Sequence, residues 1–209
     1  MAIIAEAFLP KVDGVSKTAY LTVRYLQQTG REVLVLAPDI AIETLGPSRV
    51  IPMPSLGLWM APETRVALPH PAVNRHLHEF RPDIVHLFSP ALMSFNATIA
   101  AHRMGIPVIA NYQTDIPGYA QQYGFPFLAR PAREWMKFIH NSCHLTLAPS
   151  QATASQLKQW GYKRLRIWGR GVNAQRFNPM RRSDRWRKKL LNGRDENALL
   201  CVYAGRLAN

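Results

Sequence analysis

The chain of 209 residues is 47% apolar and 19% charged by residue type, carries two cysteines and has a formal charge of +13. This is globular composition, ample for one domain with its own core and marginal for two, so a disordered polymer and a disulfide framework are excluded. The charge draws polyanions (nucleic acid, an anionic membrane surface or phosphorylated small molecules) without choosing among them.

From the amino terminus onward, short β-rich runs alternate with helical spacing, which predicts a parallel sheet wound with helices. Ala2–Ala5 predicts a buried strand, and a loop ending Pro10-Lys11-Val12-Asp13-Gly14 follows it. Val15, Ala19, Val23 and Leu26 recur at helical intervals up to Gly30, which suits the position just past a helix end. Strands are expected at 32–37 and 49–51, and irregular chain over the Pro-rich stretch 52–62. Helix over 71–80 leads to strand 84–87, helix 91–104 to strand 106–110, and helix 129–142 to strand 145–148. Ser150 predicts the cap of a helix ending at Gly161, with strand 165–168 after it. A short basic helix is expected over 184–191 and a fresh strand over 199–204.

The longest interval between charges runs from Asp83 to Arg103. It holds His86, Ser89, Pro90, Ser94, Asn96, Thr98 and His102, so strand, loop and helix are expected there, not a membrane span. Glu6 interrupts the first apolar run and no small-residue cleavage site follows, so no signal peptide is expected. Cys143 and Cys201 are expected as reduced core thiols in a cytosolic setting.

Several signatures are absent: a Gly-x-Gly-x-x-Gly turn, a Walker A loop, an Asp-x-Asp pair for a metal on a diphosphate, Cys/His zinc spacing and a Gly-x-Ser-x-Gly elbow. His76 and His78 lie on a polar helix and read as surface. What remains is three loaded strand exits, the end of a doubly wound sheet where ligands bind. Gly14 lets backbone approach a ligand, and the helix after it is expected to offer free amides to an anion, though a tight turn explains the glycine equally. Asn111-Tyr112-Gln113-Thr114-Asp115 places polar groups after an apolar strand, where turn chemistry is the alternative. Trp168-Gly169-Arg170-Gly171-Val172 sets a guanidinium between glycines, an arrangement for phosphate or carboxylate.

These segments, with Pro82-Asp83-Ile84-Val85-His86, Leu147-Ala148-Pro149-Ser150 and Ala204-Gly205-Arg206-Leu207, occur in the order seen in family 4 glycosyltransferases, which the whole chain resembles. Within that family the likeness is to bacterial GDP-mannose-dependent α-mannosyltransferases and to sulfoquinovosyl-diacylglycerol synthases. The resemblance implies a retaining enzyme of the GT-B fold. It assigns residues 1–178 to a Rossmann-like acceptor-side domain, 179–196 to a basic linker and 197–209 to the start of a truncated donor domain.

Residue by residue, the resemblance places Asp13, Gly14, Arg170 and Arg206 on the donor side and Lys17, Tyr112, Tyr119 and Tyr123 on the acceptor side. The family commonly has Gly-Gly-Val where Asp13-Gly14-Val15 stands. Gln113 stands where a histidine is frequent; it cannot relay a proton but can hydrogen-bond both substrates, and Asp115 would orient the acceptor. Arg206 matches an arginine on the donor diphosphate, and its partner lysine and a glutamate pair would lie past Asn209.

The implied reaction is transfer of a hexose, mannose by preference, from a nucleotide sugar to a lipid or glycolipid, by front-face displacement without a metal or other cofactor. The isolated chain is expected to be inactive. Between Lys163 and Arg194 twelve basic residues face one acid, Asp184, a solvated face in the plain reading. Arg130, Arg133, Trp135 and Lys137 with Tyr119, Tyr123, Phe125 and Phe127 would form a basic-aromatic surface for peripheral docking on the inner face of the cell membrane. Burial of the aromatics is the alternative. A partner-binding remnant without catalysis, or a basic nucleic-acid-binding domain, stay as other readings; an RNP-like motif, a helix-turn-helix and zinc ligands are missing.

Overall fold

Ala2, Ile3, Ile4 and Ala5 are all fully buried, and because alternate residues of a strand face opposite ways, both faces of this strand are covered. A computed structural model describes residues 1–11, 13–39, 42–58, 61–115, 118, 124–169 and 171–203, with backbone alone at 58 and 61–64. Ala2–Ala5 is β1, followed by α1 (Gly14–Gln28), β2 (Leu34–Pro38), β3 (Thr44–Leu45) and β4 (Ser48–Met53). Then come β5 (Ser55–Leu58), β6 (Ala61–Ala67), α2 (Pro71–Phe80), β7 (Val85–Phe88), α3 (Leu92–Arg103) and β8 (Val108–Asn111). The remaining elements are α4 (Pro126–Ser142), β9 (Leu145–Ala148), α5 (Gln151–Gln159), β10 (Leu165–Ile167) and α6 (Asp184–Leu191).

The main sheet runs β10-β9-β8-β7-β1-β2-β4-β3, with every pairing parallel except β3 against β4. Ala2, Ile4, Leu36, Val85, Leu87 and Val108 pack on one face with Val73 and Leu77 of α2, Met93 and Ala97 of α3 and Ile139 of α4. Ile3, Ala5, Val35, Ala37 and Phe88 pack on the other with Ala19 and Val23 of α1. This is the expected doubly wound α/β architecture. The chain steps outward from β1 through β2 to β4, then returns to place β7 on the other flank of β1. The order therefore reverses between β1 and β7, and in open α/β sheets the carboxyl ends of the strands at such a point are where ligands bind.

Three expectations need correction. Cys143 is buried, but Cys201, expected in the core with it, is exposed. The stretch 52–62 is not irregular, since β5 and β6 form a separate antiparallel ribbon with Ser55 opposite Ala67 and Leu56 opposite Val66. Its prolines read as strand breakers, yet Pro54 lies between β4 and β5 and only Pro62 lies in the ribbon, where each strand has an open flank on which a missing N–H costs no ladder bond. Pro52 inside β4 is tolerated likewise, because β3 pairs only as far as Arg49 and leaves that flank open. The strand expected at 199–204 is also absent, as 199–203 are in no strand and Leu199, Val202 and Tyr203 are exposed. An apolar run becomes a strand only when a neighbour completes its hydrogen bonds. Residue 204 lies outside the described residues.

The chain divides into two units, 1–170 and 171–209, with the whole sheet in the first. In the second, Ser183 caps α6 by accepting from the Trp186 amide at 3.4 Å, and Asn192 ends the helix in left-handed conformation.

Candidate active site at the carboxyl ends of the strands

The loop after β1 closes on a capping box. Asp13 Oδ1 accepts from the amides of Val15 (2.9 Å) and Ser16 (2.8 Å), and Ser16 Oγ accepts from the Asp13 amide at 3.0 Å. Lys11 Nζ lies 3.6 Å from Asp13 Oδ2. The Val15 and Ser16 amides expected to await an anion are thus taken by the chain's own carboxylate. Gly14 and Lys17 stay exposed on the first turn of α1.

Glu6, directly after β1, is a residue that sequence reasoning left without a role. Its Oε1 accepts from the Ala91 amide (3.1 Å), the Ser94 amide (2.9 Å) and Ser94 Oγ (2.8 Å), while Ala91 itself supplies no side-chain cap to α3. Burial pushes the Glu6 carboxyl above its usual range, and the bonds from Ser94 and Ala91 oppose that push. Glu6 Oε2 is buried and without a hydrogen-bond partner among the described residues. The signal was present in the sequence as a carboxylate inside an otherwise apolar run.

After β7, Ser89 takes a left-handed backbone with φ of 52°, and its hydroxyl shares a 2.8 Å hydrogen bond with Thr114 in the loop after β8. Three residues earlier in each segment, buried His86 meets Asn111 through Nε2 and Oδ1 at 2.9 Å, against the rings of Phe88 and Trp168. Burial lowers the His86 pKa to about 4 despite the Asn111 bond, so the ring is neutral. His140 is buried on α4, its pKa lowered to about 3 for the same reason.

In the loop after β8, Tyr112 is buried against His140 and Tyr162, and its hydroxyl donates to Asp115 Oδ1 at 3.4 Å. Burial, reinforced by Asp115, raises the Tyr112 pKa, so the phenol keeps its proton. Asp115 Oδ1 also accepts from the Gly118 amide at 3.2 Å, and a side chain at 118 would collide with this carboxylate. Gln113 is half-buried, with its Oε1 enclosed and without a hydrogen-bond partner among the described residues.

The structure thus brings Asp13, Gly14, Lys17, Tyr112, Gln113 and Asp115 to the ligand end of one sheet, with Glu6 and Ser89 between them. Tyr119, Tyr123, Arg170 and Arg206 lie outside the described residues. Among the described residues no group of three or more His, Cys, Asp or Glu could hold a metal ion. A cavity of about 500 Å³ lined by Gln27, Arg31, Arg49, His76 and Phe80 lies at the amino ends of β2 and β4, away from these loops.

On α4, Phe127 and Arg130 project, but Arg133 stacks over Trp160 at 4.9 Å, Lys137 pairs with Glu134, and Trp135 packs on Phe95 against the core. Leu128 and Phe138 are exposed instead, 47% and 54% accessible. No helix among the described residues is long and apolar enough to cross a membrane.

The profile of "Glycosyltransferase Family 4" matches residues 12–176. The chain belongs to glycosyltransferase family 4. It is 41% identical, over its whole length, to a GDP-mannose-dependent α-mannosyltransferase of Mycobacterium tuberculosis, of which it covers 56%. It is 37% identical over 90% of its length to one of Corynebacterium glutamicum, covering 47% of that protein. A sulfoquinovosyl transferase of Arabidopsis thaliana is 33% identical over 88% of the chain, which covers 37% of the plant protein. This family 4 chain therefore spans about half the length, or less, of these relatives. Its fold superposes on HepE from Anabaena, solved with UDP and glucose, with a TM-score of 0.58 at 12% identity, covering 91% of this chain and 49% of that one. A glycosyltransferase from Rickettsia africae gives 0.54 at 15% identity, with 91% and 48% covered.

Proposed function

We propose that the chain is the acceptor-side half of a retaining α-mannosyltransferase, which takes mannose from a nucleotide sugar such as GDP-mannose to a lipid or glycolipid. The observation that carries this is the match along the whole chain to a GDP-mannose-dependent α-mannosyltransferase at 41% identity. Residues 1–178 would form the acceptor side, 179–196 the linker, and 197–209 the start of the donor domain. The active site is then the cleft that the β1, β7 and β8 loops make with the second half.

In this reading Gly14 gives the donor close backbone approach, and Gln113 Oε1, enclosed and without a partner among the described residues, accepts from a sugar or acceptor hydroxyl. Asp115 acts through Tyr112, whose orientation its carboxylate fixes. Lys17, Tyr119 and Tyr123 line the acceptor side. Arg170 and Arg206 stabilise the leaving diphosphate, which takes the acceptor proton as the new glycosidic bond forms on the face the nucleotide leaves. The enzyme works at the inner face of the cell membrane. Phe127, Leu128 and Phe138 of α4, with Arg130, supply a peripheral contact.

The test is transfer from radiolabelled GDP-mannose to a membrane lipid extract by the intact protein, with the product anomer read by NMR. An α-mannosyl product is expected, and Arg206→Ala should raise the donor KM or abolish donor use. Transfer of sulfoquinovose and not of mannose would replace the mannosyl reading with one like that of the plant relative. Turnover by the 209-residue chain alone would overturn the assignment of donor binding to a second half.

A further inference from the structure

The three ligand-side loops are tied in series by side chains. Glu6, on the loop after β1, holds the first turn of α3 through Ala91 and Ser94, bridging 85 and 88 positions of sequence. Ser89, which opens the connection from β7 to α3, is joined to Thr114 beside Gln113. Glu6 thereby connects the segment ending at Gly14 to the segment carrying Gln113 and Asp115, across the point where the strand order reverses.

A helix start can be capped by its own residue, but Ala91 has no side-chain acceptor. The cap comes from another loop, so α3 cannot shift without moving the exit of β1. Carboxylate chemistry suits this use: one oxygen gathers three donors, two of them on the same residue, Ser94. His86 and Asn111 add a second bridge, buried beneath the same loops, between β7 and β8.

We infer that Glu6 is a positioning residue that sets the spacing of the β1, β7 and β8 loops, and so the placement of Gln113 against the sugar bound beside Gly14. The inference rests on the transferase reading for its catalytic part only. The mechanical part is tested without turnover, by amide hydrogen exchange of the 209-residue chain. Glu6→Ala should speed exchange at 91–94 by about 10- to 100-fold, the loss of the hydrogen bonds made by the Ala91 and Ser94 amides, and the disturbance should extend to 112–115. Glu6→Gln keeps an oxygen for the same donors and should stay within about threefold of the parent. Should Glu6→Ala fail to fold, Ser94→Ala removes one donor and should speed exchange at both segments by about three- to tenfold.

Acceleration confined to α3, or equal in the Ala and Gln variants, would make Glu6 a local cap and overturn the inference. In the intact transferase, Glu6→Ala should cut kcat about 100-fold with the donor KM unchanged, and Glu6→Gln should restore it. A raised donor KM with kcat intact would count against positioning. Absence of mannosyl transfer by the parent protein would refute the proposed function instead, leaving the exchange result to judge Glu6.

Discussion

Asp13→Ala separates two roles that one residue can hold. In the structure Asp13 closes the first turn of α1, accepting from Val15 and Ser16 and pairing with Lys11. Removing a carboxylate cap costs about 0.5–2 kcal/mol, and losing a negative charge at a helix amino end adds about 0.3–1 kcal/mol. The Lys11 pair is partly exposed and adds at most a few tenths of about 1 kcal/mol. A total near 2 kcal/mol lowers the melting temperature of a domain this size by about 4–8 °C. Thermal unfolding followed by circular dichroism at 222 nm (roughly the helix band, at which α1 contributes) measures it. Asp13→Ser keeps a capping oxygen and should recover most of the loss. If Asp13→Ala melts with the parent, the capping box contributes nothing and the reasoning is wrong. If Asp13→Ser is stable while the intact enzyme loses donor affinity, Asp13 also touches the donor.

His86 and His140 give a pH dependence with a definite sign. Both are depressed below the ordinary histidine value of 6.5, to about 4 and about 3, so the unfolded chain binds their protons first as pH falls. Their contribution to stability is complete above pH 6.5 and declines from there toward pH 4 and 3; denaturant melts across that range check it, and His86→Gln should flatten the curve. Arg65 clamps the β5–β6 ribbon to the exit of β2, donating to Asp39, Ser55 Oγ and the Ser55 carbonyl. Arg65→Ala should free the ribbon, so limited proteolysis should cut within 55–67 faster, with the sheet core still protected. Unchanged cleavage there would show the clamp to be dispensable.

The sequence by itself determined the α/β alternation and most of the winding. Apolar runs such as Ala2–Ala5 and 84–87 need cover on both sides, and helical spacing with Gly30 and Ser150 marks where helices stop or start. Local chemistry of this kind is written within one helical turn or one strand, so it survives without any knowledge of neighbours. The β5–β6 ribbon escaped because a proline is harmless only on an edge, and being an edge is a property of the partner strands. The run at 199–204 misled for the same reason, since apolar character alone does not supply a ladder. At the site, Gly14, Gln113 and Asp115 were legible as polar or flexible residues at strand exits. Glu6 was not, because its meaning lies in Ala91 and Ser94, far along the chain, and only the return of β7 to the side of β1 brings the three together. Charge and spacing fix what each segment prefers, whereas the burial that turns a carboxylate into a tie between loops exists only once the sheet has closed.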